Sequence, residues 1–183
     1  MLPFARLTII GLGLIGSSVA RAVRAQMPAM RITGHDADPI VRERAVALGL
    51  CDDVTDTAGA SVMDADLVIL CVPVGAMGAV AAEFAADLPV DAVVSDVGSC
   101  KQSVAEALGA VLPNAIIIPA HPVAGTEHSG PDSGFTTLFE GRWTLVTPIP
   151  GSDEVAVEKV KELWRRCGSM VAQMDPAHHD RVL

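Results

Sequence analysis

Tyrosine is absent from this chain, and aromatic residues make up only 3% of its 183 positions. A core with so few rings must be filled by aliphatic and small side chains. Half of the sequence is hydrophobic, much of it Ala and Val, which suits a parallel sheet buried under helices of small residues. Basic residues are scarce, 13 against 22 acidic, and the net charge of −9 argues against nucleic acid and anionic membrane as partners. The four cysteines, Cys51, Cys71, Cys100 and Cys167, are scattered and form no CxxC pair. Neither a zinc site nor a disulfide framework is indicated, no metal is expected, and a reducing cytoplasm fits best. No uninterrupted apolar run reaches the roughly 18 residues of a membrane span. Leu7 to Ala20 imitates a signal-peptide core, with VARA behind it, but three glycines interrupt the run and only Arg6 precedes it with positive charge. A chain of this length holds one good core, so one domain is the default.

What is present begins with a strand, a glycine fingerprint and a helix. RLTII spans Arg6 to Ile10, Gly11-Leu-Gly13-Leu14-Ile15-Gly16 follows, and Ser17 to Gln26 reads as helix. Asp36 lies twenty residues past Gly16, after a second apolar run from Met30 to Gly34. In that context the pattern is a dinucleotide signal. Gly11 permits the tight turn, Gly13 lets the backbone approach a pyrophosphate, and Gly16 lets helix and strand pack. The helix start offers free N–H groups and partial positive charge to phosphate. The bland alternative is a glycine-rich turn with no ligand.

The remainder alternates. Helix is expected over Ile40 to Leu48, Ala58 to Met63, Gly75 to Asp87, Lys101 to Leu112 and Asp153 to Arg166. Strand is expected over Asp53 to Thr55, Asp66 to Val72, Ala92 to Ser95, Ala115 to Ile118, Trp143 to Thr147 and Met170 to Gln173. Such alternation with apolar strands specifies an α/β fold, a Rossmann-like doubly wound and mostly parallel sheet with helices on both faces and right-handed crossovers. The stretch from Pro119 to Arg142 carries little regular signal, and a gap that long in a compact domain is usually functional.

Ligands of such sheets sit outside the carboxyl ends of the strands. Val72 and Pro73 leave one strand there, either as a plain stop or in contact with a cofactor. Ser99 leaves another, either as helix N-cap or as a hydroxyl beside the cofactor channel. Lys101 is read as neutralising phosphate or facing water, since nothing nearby in sequence would depress its pKa. Arg42 and Arg44 read as a solvated helix face. His121, pinned by Pro122, stands at a strand end where an imidazole could take a proton from a substrate hydroxyl, or could merely bond a loop backbone.

Four stretches occur in order: Gly11-Leu-Gly-Leu-Ile-Gly-Ser-Ser18, Asp96-Val-Gly-Ser-Cys-Lys101, His121-Pro-Val-Ala-Gly-Thr-Glu-His-Ser-Gly130 and Leu138-Phe-Glu-Gly-Arg142. Together they resemble the prephenate dehydrogenase family, which includes the arogenate and cyclohexadienyl dehydrogenases of tyrosine biosynthesis. The segment from Thr126 to Gly141 resembles the cyclohexadienyl branch. The resemblance implies NAD-dependent oxidative decarboxylation of prephenate or arogenate. It implies His121 as catalytic histidine, Ser99 as the serine that places it, and Glu127 as an acid at the active-site entrance. Gly11, Gly13, Leu14, Ile15, Gly16, Asp36, Val72, Pro73 and Ser99 would hold the cofactor. Cys100 departs from the family's usual apolar residue or Thr, and is expected to point into packing.

The same resemblance sets residues 1–174 as the dinucleotide-binding domain and 175–183 as the start of a linker helix. That helix would lead to an absent helical domain, through which the family forms homodimers and binds the substrate carboxylates. Its Ser-His-Leu-Pro-His and Gly-Phe-Arg-Asp stretches do not occur here, so the chain is expected to be a fragment. Two rival readings share the first half of the chain. One is a 3-hydroxyacid dehydrogenase or imine reductase, which would not be expected to carry the His121 to Gly130 stretch. The other is a non-catalytic nucleotide-binding module.

Overall fold

Six short strands, the central ones rich in Val, Ile and Leu, pair side by side in the computed structural model, which describes residues 1–183. They are β1 (Arg6–Ile10), β2 (Arg31–His35), β3 (Asp53–Thr55), β4 (Leu67–Leu70), β5 (Val93–Asp96) and β6 (Ile116–Ile117). All pairings are parallel, in the order β3-β2-β1-β4-β5-β6. The order reverses direction between β1 and β4, so the crevice above those two strand ends is the topological switch point.

The crossovers are α1 (Leu14–Gln26), α2 (Pro39–Ala47), α3 (Ala58–Val62), α4 (Met77–Phe84) and α5 (Lys101–Val111). The pleat divides the strand side chains between two cores. Leu7, Ile9, Ile32, Leu67 and Ile69 pack with Val19, Ala20 and Val23 of α1. Ile10, Val68, Leu70 and Val94 pack with Val62 of α3, Met77 and Phe84 of α4, and Val104 and Leu108 of α5. Both faces are therefore covered, which explains why these strands read as continuous apolar runs.

Several boundaries move from their expected places. Helix α1 begins at Leu14, three residues before the expected start. The helix expected from Gly75 opens instead as a 3₁₀ turn at Val74–Ala76 and becomes α-helical at Met77. Strand β4 stops at Leu70, which leaves Cys71, Val72 and Pro73 as connecting chain.

The stretch from Pro119 to Arg142 does hold regular structure. β7 (Ala120–Pro122) pairs antiparallel with β8 (Trp143–Val146), and β8 pairs parallel with β9 (Met170–Gln173) through the crossover helix α6 (Glu154–Arg166). The late strands thus form a separate three-stranded sheet, because the chain reverses at β7. Val157, Val160, Leu163 and Trp164 of α6 join the core on the α1 side of the main sheet. The final helix, α7 (Pro176–Val182), docks on α5 with His179 fully buried, while Val182 and Leu183 are exposed. No helix is long and apolar enough to cross a membrane.

Candidate active site

The glycine turn leaves β1 with Gly11 at φ +94°, its N–H bonded to the His35 carbonyl at 2.8 Å. A Cβ on Gly11 would lie 2.5 Å from the Cys71 carbonyl oxygen and 3.0 Å from Val72 Cγ1. The loops after β1 and β4 therefore abut at the switch point, with Val72 against the turn. Gly13 stands at the N-cap of α1 with open space beside it, since a Cβ there would meet nothing within 4 Å. No side chain caps α1, and its first turn holds no acid. The N–H groups of Leu14, Ile15 and Gly16 are thus left for an external acceptor, as an anion-binding helix start requires.

Asp36 follows β2 and faces this turn. Its Oδ2 accepts the Leu12 N–H at 2.8 Å and its Oδ1 accepts the Asp38 N–H at 3.0 Å. A half-buried carboxylate thus holds the glycine turn at the place where the ribose of a dinucleotide would lie. The residues present fit a dinucleotide: an uncapped helix start for the pyrophosphate and an acid for the ribose. His35, by contrast, is buried, with Nδ1 2.9 Å from the Thr55 carbonyl oxygen.

Arg44 is exposed, as expected of a solvated helix face, whereas the Arg42 side chain is largely covered, and both bond neighbouring loops. Arg42 Nη1 donates to the carbonyls of Asp36 at 2.8 Å and Ala37 at 3.1 Å, which stiffens the acid's loop. Arg44 donates through Nε and Nη2 to both oxygens of Asp132, at 2.5–3.0 Å. Asp132 lies in a 3₁₀ turn of the long connection, Pro131–Ser133. Nearby, the Phe135 N–H donates to Ser18 Oγ at 3.1 Å, and a Cβ on Gly134 would overlap Ser17. The segment leaving His121 is therefore strapped across α1 and α2.

At the end of β5, Lys101 contradicts its expected exposure. Its side chain is 0% exposed, and Nζ donates to Asp96 Oδ2 and, at 2.7 Å, to the Ala120 carbonyl. Asp96 also accepts the N–H groups of Gly98 at 2.7 Å and Ala120 at 3.2 Å. Burial raises the Asp96 carboxyl and lowers the Lys101 ammonium, while their mutual contact opposes both shifts. The ammonium found its partner across the turn, five residues back, where no helical periodicity would reveal it.

Ser99 does not cap α5. The N-cap position belongs to Cys100, which contributes no side-chain bond and is exposed rather than packed. The cap comes from α7: Asp180 accepts the N–H groups of Lys101 at 2.7 Å and Gln102 at 2.9 Å. Ser99 itself is exposed at the carboxyl end of β5.

His121 sits in β7, fixed on its N-terminal side by the Ala120 bonds to Lys101 and Asp96. The ring is half-buried, with Nδ1 2.8 Å from His179 Nε2 and Nε2 without a partner in the chain. Burial first, then His179 and Lys101, push its pKa down to about 4, against a raising influence from Asp180. The imidazole is thus a neutral base at physiological pH. His179 and Asp180 were not singled out by sequence reasoning, which took 175–183 only as the start of a linker helix. Glu127 lies on the loop beyond β7 with its side chain 85% exposed.

Comparison with known proteins shows the family and the fold. Residues 19–173 match the family described as prephenate dehydrogenase, nucleotide-binding domain. A cyclohexadienyl dehydrogenase of Zymomonas mobilis is 46% identical over 183 residues, which are all of this chain and 62% of that protein. A prephenate dehydrogenase of Bacillus subtilis is 34% identical over 176 residues, 95% of this chain and 47% of that one. The crystal structure of prephenate dehydrogenase from A. aeolicus in complex with hydroxyphenyl propionate and NAD+ superposes with a TM-score of 0.90 at 33% identity, over 100% of this chain and 63% of that one. The chain thus spans about half to two-thirds of the length of these relatives.

Proposed function

This chain belongs to the prephenate dehydrogenase family, and from that premise we propose that it carries the NAD+ site and the proton-accepting histidine of an enzyme of tyrosine biosynthesis. The reaction is the oxidative decarboxylation of prephenate, arogenate or both, giving 4-hydroxyphenylpyruvate or tyrosine. The observation that carries this reading is an uncapped glycine-turn helix at the carboxyl end of β1 together with a histidine that keeps one free nitrogen on β7, the strand that follows β6 in the chain.

The roles follow from chemistry. Leu14, Ile15 and Gly16 offer N–H groups to the pyrophosphate, and Gly13 leaves room for its approach. Asp36 bonds the adenosine ribose and disfavours a 2′-phosphate, which selects NAD+ over NADP+. Val72 and Pro73 wall the crevice at the switch point. The bound nicotinamide supplies a hydride acceptor. His121 takes the substrate's hydroxyl proton on Nε2 as the carbinol carbon is oxidised. When the ring carboxylate leaves as CO2, its electron pair enters the ring, and His121 returns the proton to the phenol oxygen. Ser99 lies beside this path as a hydroxyl that orients ring and nicotinamide, and Glu127 borders the entrance. Substrate carboxylates are held by residues outside this chain, in the portion of the full-length protein through which it dimerises.

The test is the full-length protein assayed with prephenate, arogenate and simple hydroxyacids, as wild type and as His121→Asn. The substitution is expected to cost about 10²- to 10⁴-fold in turnover, the range for a general acid–base group. Affinity for NAD+ should hold. Unchanged turnover would remove His121 from the chemistry.

A further inference from the structure

Three side chains from two distant parts of the sequence stand in a row. His121 comes from β7, and His179 and Asp180 come from α7. The contacts are His121 Nδ1 to His179 Nε2 at 2.8 Å, and His179 Nδ1 to Asp180 Oδ1 at 2.7 Å. His179 is 0% exposed.

Asp180 sets the direction of the row. Its two oxygens receive the Lys101 and Gln102 N–H groups at the start of α5, where the helix favours negative charge. Partial burial raises its carboxyl, but these bonds and His179 outweigh that and hold it below the usual range. An ionised carboxylate only accepts, so the proton between it and His179 belongs to His179 Nδ1. Where His179 carries that single N–H, its Nε2 is bare and accepts. His121 Nδ1 must then donate to it. The second nitrogen of His121 is left as a lone pair, with no partner in the chain.

We propose that His179 and Asp180 are positioning residues that lock His121 in the tautomer whose Nε2 accepts a proton. The lock rests on the reading of His121 as the proton acceptor, and it supplies what that reading lacks. A neutral histidine in water favours the opposite tautomer, with its proton on Nε2, where it could only donate. The lock resembles the Asp–His part of a serine-protease triad in logic, where a buried acid fixes the ring's tautomer and orientation. Here a second histidine is interposed, and the acid is held by a helix start. The charged groups facing His121 are Lys101 of α5, itself paired with Asp96, and Asp180 of α7. None of them offers His121 a competing acceptor among the observed bonds.

Nitrogen-15 NMR of the histidine rings reads the tautomers directly at neutral pH, without turnover. The expected result is a proton on Nδ1 and none on Nε2 for both His121 and His179. A proton on His121 Nε2, or a doubly protonated His179 donating to His121, would overturn the lock. In the full-length enzyme, His179→Leu should lower kcat by less than the ~10²- to 10⁴-fold cost of losing the base itself, with KM for NAD+ unchanged. His179→Gln, whose amide oxygen can still accept from His121, should recover part of the loss. Equal losses in both variants, with the His121 tautomer unaltered in each, would also overturn it. If the Leu variant does not fold, the wild-type tautomer still decides. Because that readout is independent of catalysis, full turnover by His121→Asn would refute the proton-acceptor reading alone.

Discussion

Gly16 lies flat against the carbonyl of Gly11: a methyl group added to Gly16 would overlap the Gly11 oxygen and come within 3.1 Å of Ile9 Cγ2. Two glycines of one fingerprint are thus required by the protein itself, whereas Gly13 between them touches nothing. The two kinds of glycine should separate on substitution. Gly16→Ala should destabilise the fold by about 1–3 kcal/mol, the cost of forcing atoms into a packed site, and weaken NAD+ binding as a consequence. Gly13→Val should change stability by no more than about 1 kcal/mol, a capping-size effect, yet abolish NAD+ binding. Urea melts and calorimetry with NAD+ distinguish them. A Gly13→Val chain that still binds NAD+ would mean that the pyrophosphate does not approach here.

Asp36 has two tasks, and conservative changes should part them. One oxygen holds the Leu12 N–H, and the charge opposes a 2′-phosphate. Asp36→Asn keeps an acceptor for Leu12, gives up the one for the Asp38 N–H and removes the charge, so it should narrow the preference for NAD+ over NADP+ at a small cost to the loop. Asp36→Ser should narrow the preference too, and also loosen the turn. Titration of each variant with both cofactors is the measurement. Tighter NADP+ binding by the wild type would sink the assignment.

The depressed His121 pKa gives a signed pH dependence. In the folded chain the ring stays neutral down to about 4, whereas an unperturbed histidine takes its proton near 6.5. Between those values the unfolded chain binds more protons than the folded one, so His121 makes the fold less stable as pH falls through that window. For catalysis, the base remains available well below neutrality. In the full-length enzyme, kcat/KM should carry no acid limb near 6.5 from this residue, and should decline only toward pH 4. A limb at 6.5 that disappears in His121→Asn would contradict the burial argument.

Lys101 and Asp96 form a buried pair that ties the ends of β5 and the start of β7 together. Removing one partner leaves the other charge stranded, which typically costs about 3–5 kcal/mol. Lys101→Met is therefore expected to lose that much in a urea melt. A double change, Lys101→Met with Asp96→Asn, should recover part of it, since the amide oxygen can still accept one backbone N–H. A single-variant loss under about 1 kcal/mol would mean that the pair contributes no ionic attraction.

Most of the main sheet was legible because its signals are local. Arg6–Ile10, the glycine spacing and Asp36 stand within one short unit, and the apolar strands are bounded by turn residues. Two strands of the second sheet, β8 and β9, were legible too, but β7 was not, because it is three residues long, contains Pro122, and has no period of its own. Its identity depends on β8, more than twenty residues away. The same holds for the side chains that meet at His121. Lys101 looked solvent-facing because its partner lies across a turn. His121 itself was visible through its stretch of sequence, but the ring beside it comes from the other end of the chain.

The docking of α7 has a practical corollary. Asp175 opens that helix by accepting the His178 N–H at 2.8 Å, and four and five residues later His179 and Asp180 reach His121 and α5. A cut between Met174 and Asp175 would spare every strand and the whole glycine turn. It would nevertheless strip the cap from one helix and the partner from one imidazole. A product trimmed there should keep its grip on nucleotide and lose its working base, and a synthetic peptide spanning α7, supplied in trans, is the natural way to restore it.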